Sequence, residues 1–391
     1  MSREVVIVGG GIARYGRRRD ASFRDLAMEA IKETFESVDN ITPKDIQALY
    51  VATGQPERLV VQSQPATLIA EYAGITPKYG TVRVEMACTS GTAAIRLAYA
   101  TVKSGMADIV LVVGVEKMYS APGPDIQTSL SIVADKEWEG VYGMNAPPGY
   151  AFIAQRHMYE YGTTEEQMAM VAVKNHKYGA MNPKAQFQKV ITIEDVFKSP
   201  VIAPPIKLYD CSPITDGAAA AIITSADIAR KFTDTPIYIL ATAQVVMGNT
   251  IANIPSLTTW VPLREAAKLA YRMAKVEPKD IDVAETHDCF TISEIIEYED
   301  LGFTEKGKGG KFIEEGQSEI GGKVPVNVSG GLKAKGHPVG ATGIGQAVEI
   351  MHQLRGEAGK RQVDGAEIGL AHNLSGFSVN HFVTIYGREP R

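Results

Sequence analysis

The sequence predicts an α/β protein of two similar halves stacked as five layers, αβαβα, with a loop subdomain inserted in the first half. Three observations predict it. Helix-like and strand-like segments alternate through 391 residues, one order of elements occurs twice, and one long stretch has no counterpart in the other half. Alternation of strand and helix implies largely parallel sheets covered by helices. The length exceeds one minimal core and suits two domains or one large duplicated domain.

The duplication rests on two pairs of segments. Phe23-Arg24-Asp25-Leu26-Ala27 opens an amphipathic helix that leads to Pro43-Lys44-Asp45-Ile46 and a strand at Ala48 to Val51. Leu263-Arg264-Glu265-Ala266-Ala267 opens a similar helix, leading to Pro278-Lys279-Asp280-Ile281 and a strand ending near Glu285. The apolar strands at Ala107-Asp108-Ile109-Val110-Leu111 and Ala366-Glu367-Ile368-Gly369-Leu370 form the second pair. Between these anchors each half carries a strand, a Gly-containing turn and an Ala-rich helix, with turns at Cys88 to Gly91 and Ser329 to Gly345. Two pairs in one order make an internal repeat the better reading. Residues 1–117 then form the first half, completed by about 212–232, and 233–391 form the second. The stretch 118–211, rich in Met, Tyr, Pro and Gly, reads as the inserted subdomain, the kind of segment that often carries substrate binding. Val8-Gly9-Gly10-Gly11-Ile12-Ala13 lacks the spacing of a dinucleotide-binding turn, and the next helix starts only near Ser22. A tight strand-to-loop turn is expected there.

Composition narrows the function. A net charge of -5 argues against nucleic acid as the main partner. Three scattered cysteines, Cys88, Cys211 and Cys289, fit neither a zinc pattern nor a secreted disulfide framework. No signal peptide, no run of eighteen apolar residues and no C-terminal address are evident, so a soluble, cytoplasmic protein is expected.

Four segments carry candidate chemistry. Cys88 lies in Val84-Glu85-Met86-Ala87-Cys88-Thr89-Ser90-Gly91, where a strand ends and a small-residue helix begins. The positive end of that helix would favour the thiolate. His337 sits among glycines in Gly336-His337-Pro338-Val339-Gly340, a backbone that must turn sharply to present the ring. His287 and Cys289 share Glu285-Thr286-His287-Asp288-Cys289-Phe290 at the end of a strand, where active sites of parallel sheets gather. Leu370-Ala371-His372-Asn373-Leu374-Ser375-Gly376-Phe377 interrupts an apolar strand with polar residues, suggesting backbone donors turned toward a ligand. Taken alone, the Cys88 block is equally consistent with a packed, inert cysteine and the His287–Cys289 pair fits packing better, whereas the glycines around His337 favour a presented ring over a surface-loop histidine. Cys211, His157, His176, His352 and His381 read as structural.

Taken together, the Cys88 block, Gly114-Val115-Glu116-Lys117-Met118, Thr215-Asp216-Gly217-Ala218-Ala219-Ala220 and the Gly-His-Pro block resemble the thiolase superfamily from about residue 80 onward. The resemblance implies the duplicated thiolase fold. His287-Asp288-Cys289-Phe290 stands where common thiolases carry Asn-Glu-Ala-Phe, and His372-Asn373-Leu374-Ser375-Gly376 lacks their second cysteine. That pairing, with Val173-Lys174-Asn175-His176-Lys177, is similar to sterol-carrier-protein-type thiolases and their archaeal relatives. The resemblance implies Cys88 as the acylated nucleophile, His337 as its base, Cys289 as the second thiol, and His287 with His337 holding the enolate. Backbone N–H groups of Cys88 and of Ser375 or Gly376 would form the oxyanion hole. The implied reaction is acetyl-CoA C-acetyl transfer, two acetyl-CoA giving acetoacetyl-CoA and CoA or the reverse, feeding mevalonate and so isoprenoid synthesis. Longer or branched 3-ketoacyl-CoA is the alternative substrate. Also implied are a homo-dimer or tetramer, and hydroxymethylglutaryl-CoA synthase held through a small zinc-ribbon/OB-fold scaffold protein. No metal and no cofactor beyond coenzyme A thioesters is implied. A decarboxylating ketoacyl synthase would need no second thiol, so Cys289 argues for a thiolase. A non-catalytic acyl-CoA-binding or scaffold subunit would have no need of the full set.

Overall fold

The computed structural model describes residues 3–391. Strands β1 (Val5–Ile12), β2 (Ala48–Ala52), β3 (Thr81–Val84) and β4 (Ile109–Glu116) open the chain; a short hairpin follows, β5 (Val201–Ala203) and β6 (Ile206–Lys207). β7 (Gly217–Ser225), β8 (Ile237–Val246), β9 (Val283–Glu285), β10 (Ile368–Ser375) and β11 (Asn380–Gly387) complete the set. The main sheet runs β3-β2-β4-β7-β1-β8-β11-β10-β9. Within the sheet, β1 and β8 join the two halves through two residue pairs, Val6 with Tyr238 and Ile7 with Ile237.

Each half has the same topology. β1, β2, β4 and β7 correspond to β8, β9, β10 and β11, and an isolated parallel bridge of Ala284 with Val326 stands where β3 pairs with β2. The sheet is more mixed than alternation alone suggests. β2 pairs in parallel with β3 and β4, as β10 does with β9, whereas β7 and β11 run antiparallel to both of their neighbours. The turn between β10 and β11 spans only residues 376–379, and so short a link forces antiparallel pairing. The matching link between β4 and β7 holds the whole inserted region, including helices Ala146–Tyr161 and Glu165–Gly179.

Five layers follow from how the strands alternate. In β4, Val110 and Val112 face a core shared with the helices Ser90–Lys103 and Thr342–Arg355, while Leu111, Val113 and Val115 face the helix Phe23–Glu36. In the second half Val283, Ala371 and Tyr386 face that same shared core; Ala284, Leu370 and Val383 face a third core containing the helix Val261–Ala274. The two central helices therefore lie between the sheets, and the outer helices cover them. The three glycines Gly9, Gly10 and Gly11 lie inside β1 and make no turn. They are small because helices press on both faces: a Cβ on Gly11 would meet the Ala30 carbonyl at 2.6 Å, and one on Gly10 would meet Val348 at 2.6 Å.

Candidate active site

The two central helices point their N-termini at one place. Before the first, Ala87 adopts φ 49°, a left-handed conformation that costs a non-glycine residue strain. Hydroxyls hold the turn: Ser90 Oγ donates to the Ala87 carbonyl at 2.6 Å and accepts the Met86 N–H at 2.9 Å, and Thr89 Oγ1 donates to the Met86 carbonyl at 2.7 Å. The result sets Cys88, half-buried, at the start of the helix Ser90–Lys103. The loop ahead of the second central helix lies directly on the first. A Cβ on Gly91 would meet the Gly340 carbonyl at 2.9 Å, so the small residues after Cys88 serve this close approach.

That loop carries His337. Its N–H donates to Thr215 Oγ1 at 3.0 Å, and its Nδ1 lies 2.7 Å from Thr342 Oγ1. The Thr342 hydroxyl donates its single proton to the Pro338 carbonyl at 3.0 Å, so it accepts from Nδ1–H and leaves Nε2 as the free lone pair. Burial holds the His337 imidazole down at about 4, neutral near pH 7. Asp288 ties this loop to the His287 segment: its carboxylate accepts the N–H of Leu332 at 2.6 Å and of Lys333 at 3.0 Å.

Cys88, His287 and His337 each offer a ligand atom within 4.8 Å of the others. The His287 and His337 rings meet edge-to-face, centroids 4.9 Å apart. His287 is fully buried, and among the described residues neither ring nitrogen has a partner. A buried imidazole left unsatisfied invites a polar substrate atom. Burial, then His337, holds its pKa well below the usual range. The trio is also the one grouping among the described residues close enough to hold a metal, and a soft ion there would take the thiolate itself.

The expected effect of the helix on Cys88 is outweighed. Burial, then Glu116, pushes its thiol up to about 12, so desolvation wins over the helix end and the free thiol is protonated at rest. Cys289 is buried next to the trio, its Sγ 3.8 Å from Ser293 Oγ, and burial raises its thiol further. Ser375 ends β10 and Gly376 opens the turn after it, against the Cys88 turn: Asn380 Nδ2 donates to Thr89 Oγ1 at 2.8 Å and to Ser375 Oγ at 3.1 Å. The polar residues of the 370–377 segment do not break that strand. His372 and Asn373 are buried within β10, His372 Nε2 lying 2.9 Å from His381 Nδ1. Cys211 lies apart from the trio, its Sγ 3.4 Å from the Lys207 carbonyl.

Three residues were given no role by the sequence reading. Glu116 accepts the N–H of Gly54 at 2.8 Å and of Gly340 at 2.9 Å, joining both halves behind Cys88. A carboxylate ending an otherwise apolar strand was the available signal. Thr342 and Asn380 gave none, because ordinary polar residues gain their role only from their neighbours in space. A cavity of about 40 Å³ opens at Cys88, lined by Leu59, Glu116, Met118, Leu130, Val133 and Val339 among others.

Known proteins resemble this chain throughout. The family model described as thiolase, N-terminal domain, matches residues 5–227, and the one described as thiolase C-terminal domain-like matches 243–388. An acetyl-CoA acetyltransferase of Methanothermobacter thermautotrophicus is 47% identical over 386 residues, 99% of this chain and 100% of that protein. Sterol carrier protein 2 of Bos taurus is 39% identical over 78% of this chain and 58% of its own length. Among solved structures, an Ltp2-ChsH2(DUF35) aldolase aligns with TM-score 0.86 and 26% identity over 98% of this chain and 97% of that one.

Proposed function

The chain belongs to the thiolase family, and we propose from that premise that it joins two acetyl-CoA into acetoacetyl-CoA and CoA, or runs the reverse, through an acetyl group on Cys88. It is an acyltransferase and an acetyl-CoA C-acetyltransferase. The observation that carries the mechanism is the meeting of Cys88, His287 and His337 within 4.8 Å.

With a protonated thiol beside a neutral imidazole, His337 Nε2 takes the Cys88 proton as sulfur attacks the thioester carbonyl. CoA leaves with that proton. Backbone N–H groups of Cys88 and of Ser375 or Gly376 hold the oxyanion. Cys289 first passes its thiol proton to His337 Nε2; as thiolate it takes an α-proton from a second acetyl-CoA, and the N–H of His287, with the Nε2–H of the protonated His337, holds the enolate oxygen. CoA thioesters are the substrates, and no permanently bound cofactor is needed.

The size of the cavity favours acetyl over the longer chains. The space beside Cys88, about 40 Å³, is narrow and walled by Leu59, Met118, Leu130, Val133 and Val339, which suits a short acyl group. A place ahead of mevalonate synthesis in the cytoplasm, a homo-oligomer, and a scaffold protein of the DUF35 kind joining it to hydroxymethylglutaryl-CoA synthase belong to the same proposal; the aldolase relative includes a DUF35 component.

The test is to incubate the protein with acetyl-CoA, locate acetyl groups by intact mass and peptide mapping, and run Cys289→Ala beside it. Acetyl on Cys88 in both, with carbon–carbon chemistry lost only in the variant, is expected. A longer acyl group on Cys88 in place of acetyl would overturn the substrate; no acylation by any CoA ester would overturn the enzyme reading. Met118→Ala, which widens the cavity, is expected to admit butanoyl-CoA.

A further inference from the structure

The inserted region delivers one side chain to the site that neither half supplies. Tyr150, on the helix Ala146–Tyr161, is 1% exposed. Its ring stacks on Phe290, next to Cys289, with centroids 4.4 Å apart and planes 19° apart. Its hydroxyl donates to the Gly376 carbonyl at 3.2 Å and lies close enough to the Cys289 thiol to influence its ionisation, while the Cys289 sulfur lies 3.8 Å from Ser293 Oγ. The helix reaches this position because residue 149 is glycine: a Cβ there would overlap Phe377 at 2.2 Å.

We propose that Tyr150 is the positioning residue that lets Cys289 act as a base, its single hydroxyl proton turning from the Gly376 carbonyl to the Cys289 sulfur when that sulfur is ionised. The inference rests on the reading of Cys289 as the α-carbon base. While Cys289 is a thiol, the phenol proton stays on the Gly376 carbonyl and the sulfur keeps its contact with Ser293 Oγ. When Cys289 passes its proton to a neutral site imidazole, the phenol proton swings to the thiolate and stabilises it.

The proton balance then closes. The thiolate takes hydrogen from the α-carbon, so C–H breaks, S–H forms and the electron pair moves to the enolate. The enolate carbon attacks acetyl-Cys88; C–C forms, C–S breaks, and Cys88 leaves as thiolate. That thiolate recovers the proton held on the imidazolium, restoring both thiols and a neutral imidazole. Tyr150 never releases its own proton, and burial, holding the phenol well above its ordinary range, keeps it a donor. The other groups facing Cys289 are Cys88, Ser293 and Glu297. Burial holds the Glu297 carboxyl well above the usual carboxylate range, and whenever it is ionised its charge opposes the thiolate that Tyr150 stabilises.

The experiment uses Tyr150→Phe, which keeps the ring stack and removes only the hydroxyl. Two half-reactions are followed: acetylation of Cys88 by mass, and deuterium wash-in from D2O to the acetyl-CoA methyl group across a pH series. Acetylation within a few-fold of wild type is expected, as is exchange slowed about tenfold or more, the size expected for one lost hydrogen bond to a charged group. The exchange midpoint should move to higher pH, with rate recovered in alkali. Unchanged exchange with an unchanged midpoint overturns the inference, as does an equal fall in both half-reactions without a midpoint shift. Should the variant fail to fold, replacing all tyrosines by 3-fluorotyrosine makes the phenol a stronger donor, which must lower the midpoint; a fixed midpoint overturns the inference. A wild-type protein that neither acetylates nor exchanges overturns the functional reading itself, a distinct result.

Discussion

In the first half the turn Pro43–Asp45 is held by Asp45, whose carboxylate accepts the Thr42 N–H at 2.8 Å. In the second half Asp280 accepts the Glu277 N–H at 2.8 Å across the turn Pro278–Asp280. Each turn sends the chain into the matching strand, β2 or β9. Beyond those strands the copies part. β2 runs on to Thr53 and Gly54, β9 to Thr286 and His287. The first central helix is preceded at once by Cys88; the second is reached through the long loop bearing His337. The first 117 residues contain no histidine, whereas the second half supplies His287, His337, His372 and His381. The scaffold was kept twice while the strand and helix ends facing the site diverged. Cys88 comes from one copy and His287 and His337 from the other, so on the mechanism proposed above the chemistry exists only when both halves are folded together.

The largest test of this division is His337→Ala. Removing the base that the second half lends to the first should slow Cys88 acetylation by about 10²- to 10⁴-fold, measured by rapid-quench mass spectrometry. A loss under fivefold would mean that the first half activates its own thiol. His287→Ala comes next: condensation is expected to fall by roughly 10²- to 10³-fold, the cost of one oxyanion donor, while acetylation stays within a few-fold. Equal loss of both steps would remove His287 from the enolate and return it to packing.

Acid should separate the halves as well. Burial lowers His337 to about 4 and His372 to about 3 in the folded protein, against an unfolded value near 6.5. The unfolded chain therefore binds more protons below pH 6.5. Stability from these groups is complete above that pH and lost as pH falls toward 4, roughly 3 kcal/mol from His337 alone. Hydrogen exchange between pH 7 and 4 should show amides of β10 and β11 losing protection before those of β2 and β4. Simultaneous loss would show that the halves open as one unit. The smallest effect sharpens the likeness: Asp45→Asn and Asp280→Asn should each cost about 0.5–1.5 kcal/mol in urea denaturation, equally and without change in turnover.

Much of the scaffold was legible from residue order alone. The Pro-Lys-Asp repeat marked the two copies, because a turn capped by its own carboxylate is a local structure that sequence states directly. The missing counterpart of the stretch after β4 marked the insertion for the same reason. Cys88, His287, Cys289 and His337 stood out because thiols and imidazoles are few and flanked by glycine or a strand end. Gly9 to Gly11 were misread as a turn, since the helices that press on them come from residues 30 and 348. The direction of the Cys88 shift was misread too: the helix end is local, but the desolvation that outweighs it comes from the whole fold.

By itself, then, the sequence determined a duplicated α/β chain and singled out Cys88, His287, Cys289 and His337 as candidates, since those depend on local pattern and residue type. Only the tertiary structure decided that three of those groups meet within 4.8 Å, that the thiol rests protonated beside a neutral imidazole, and that Tyr150 of the insertion reaches Cys289. The physical reason is that burial and close approach are properties of contacts between segments up to hundreds of residues apart, and no local pattern encodes them.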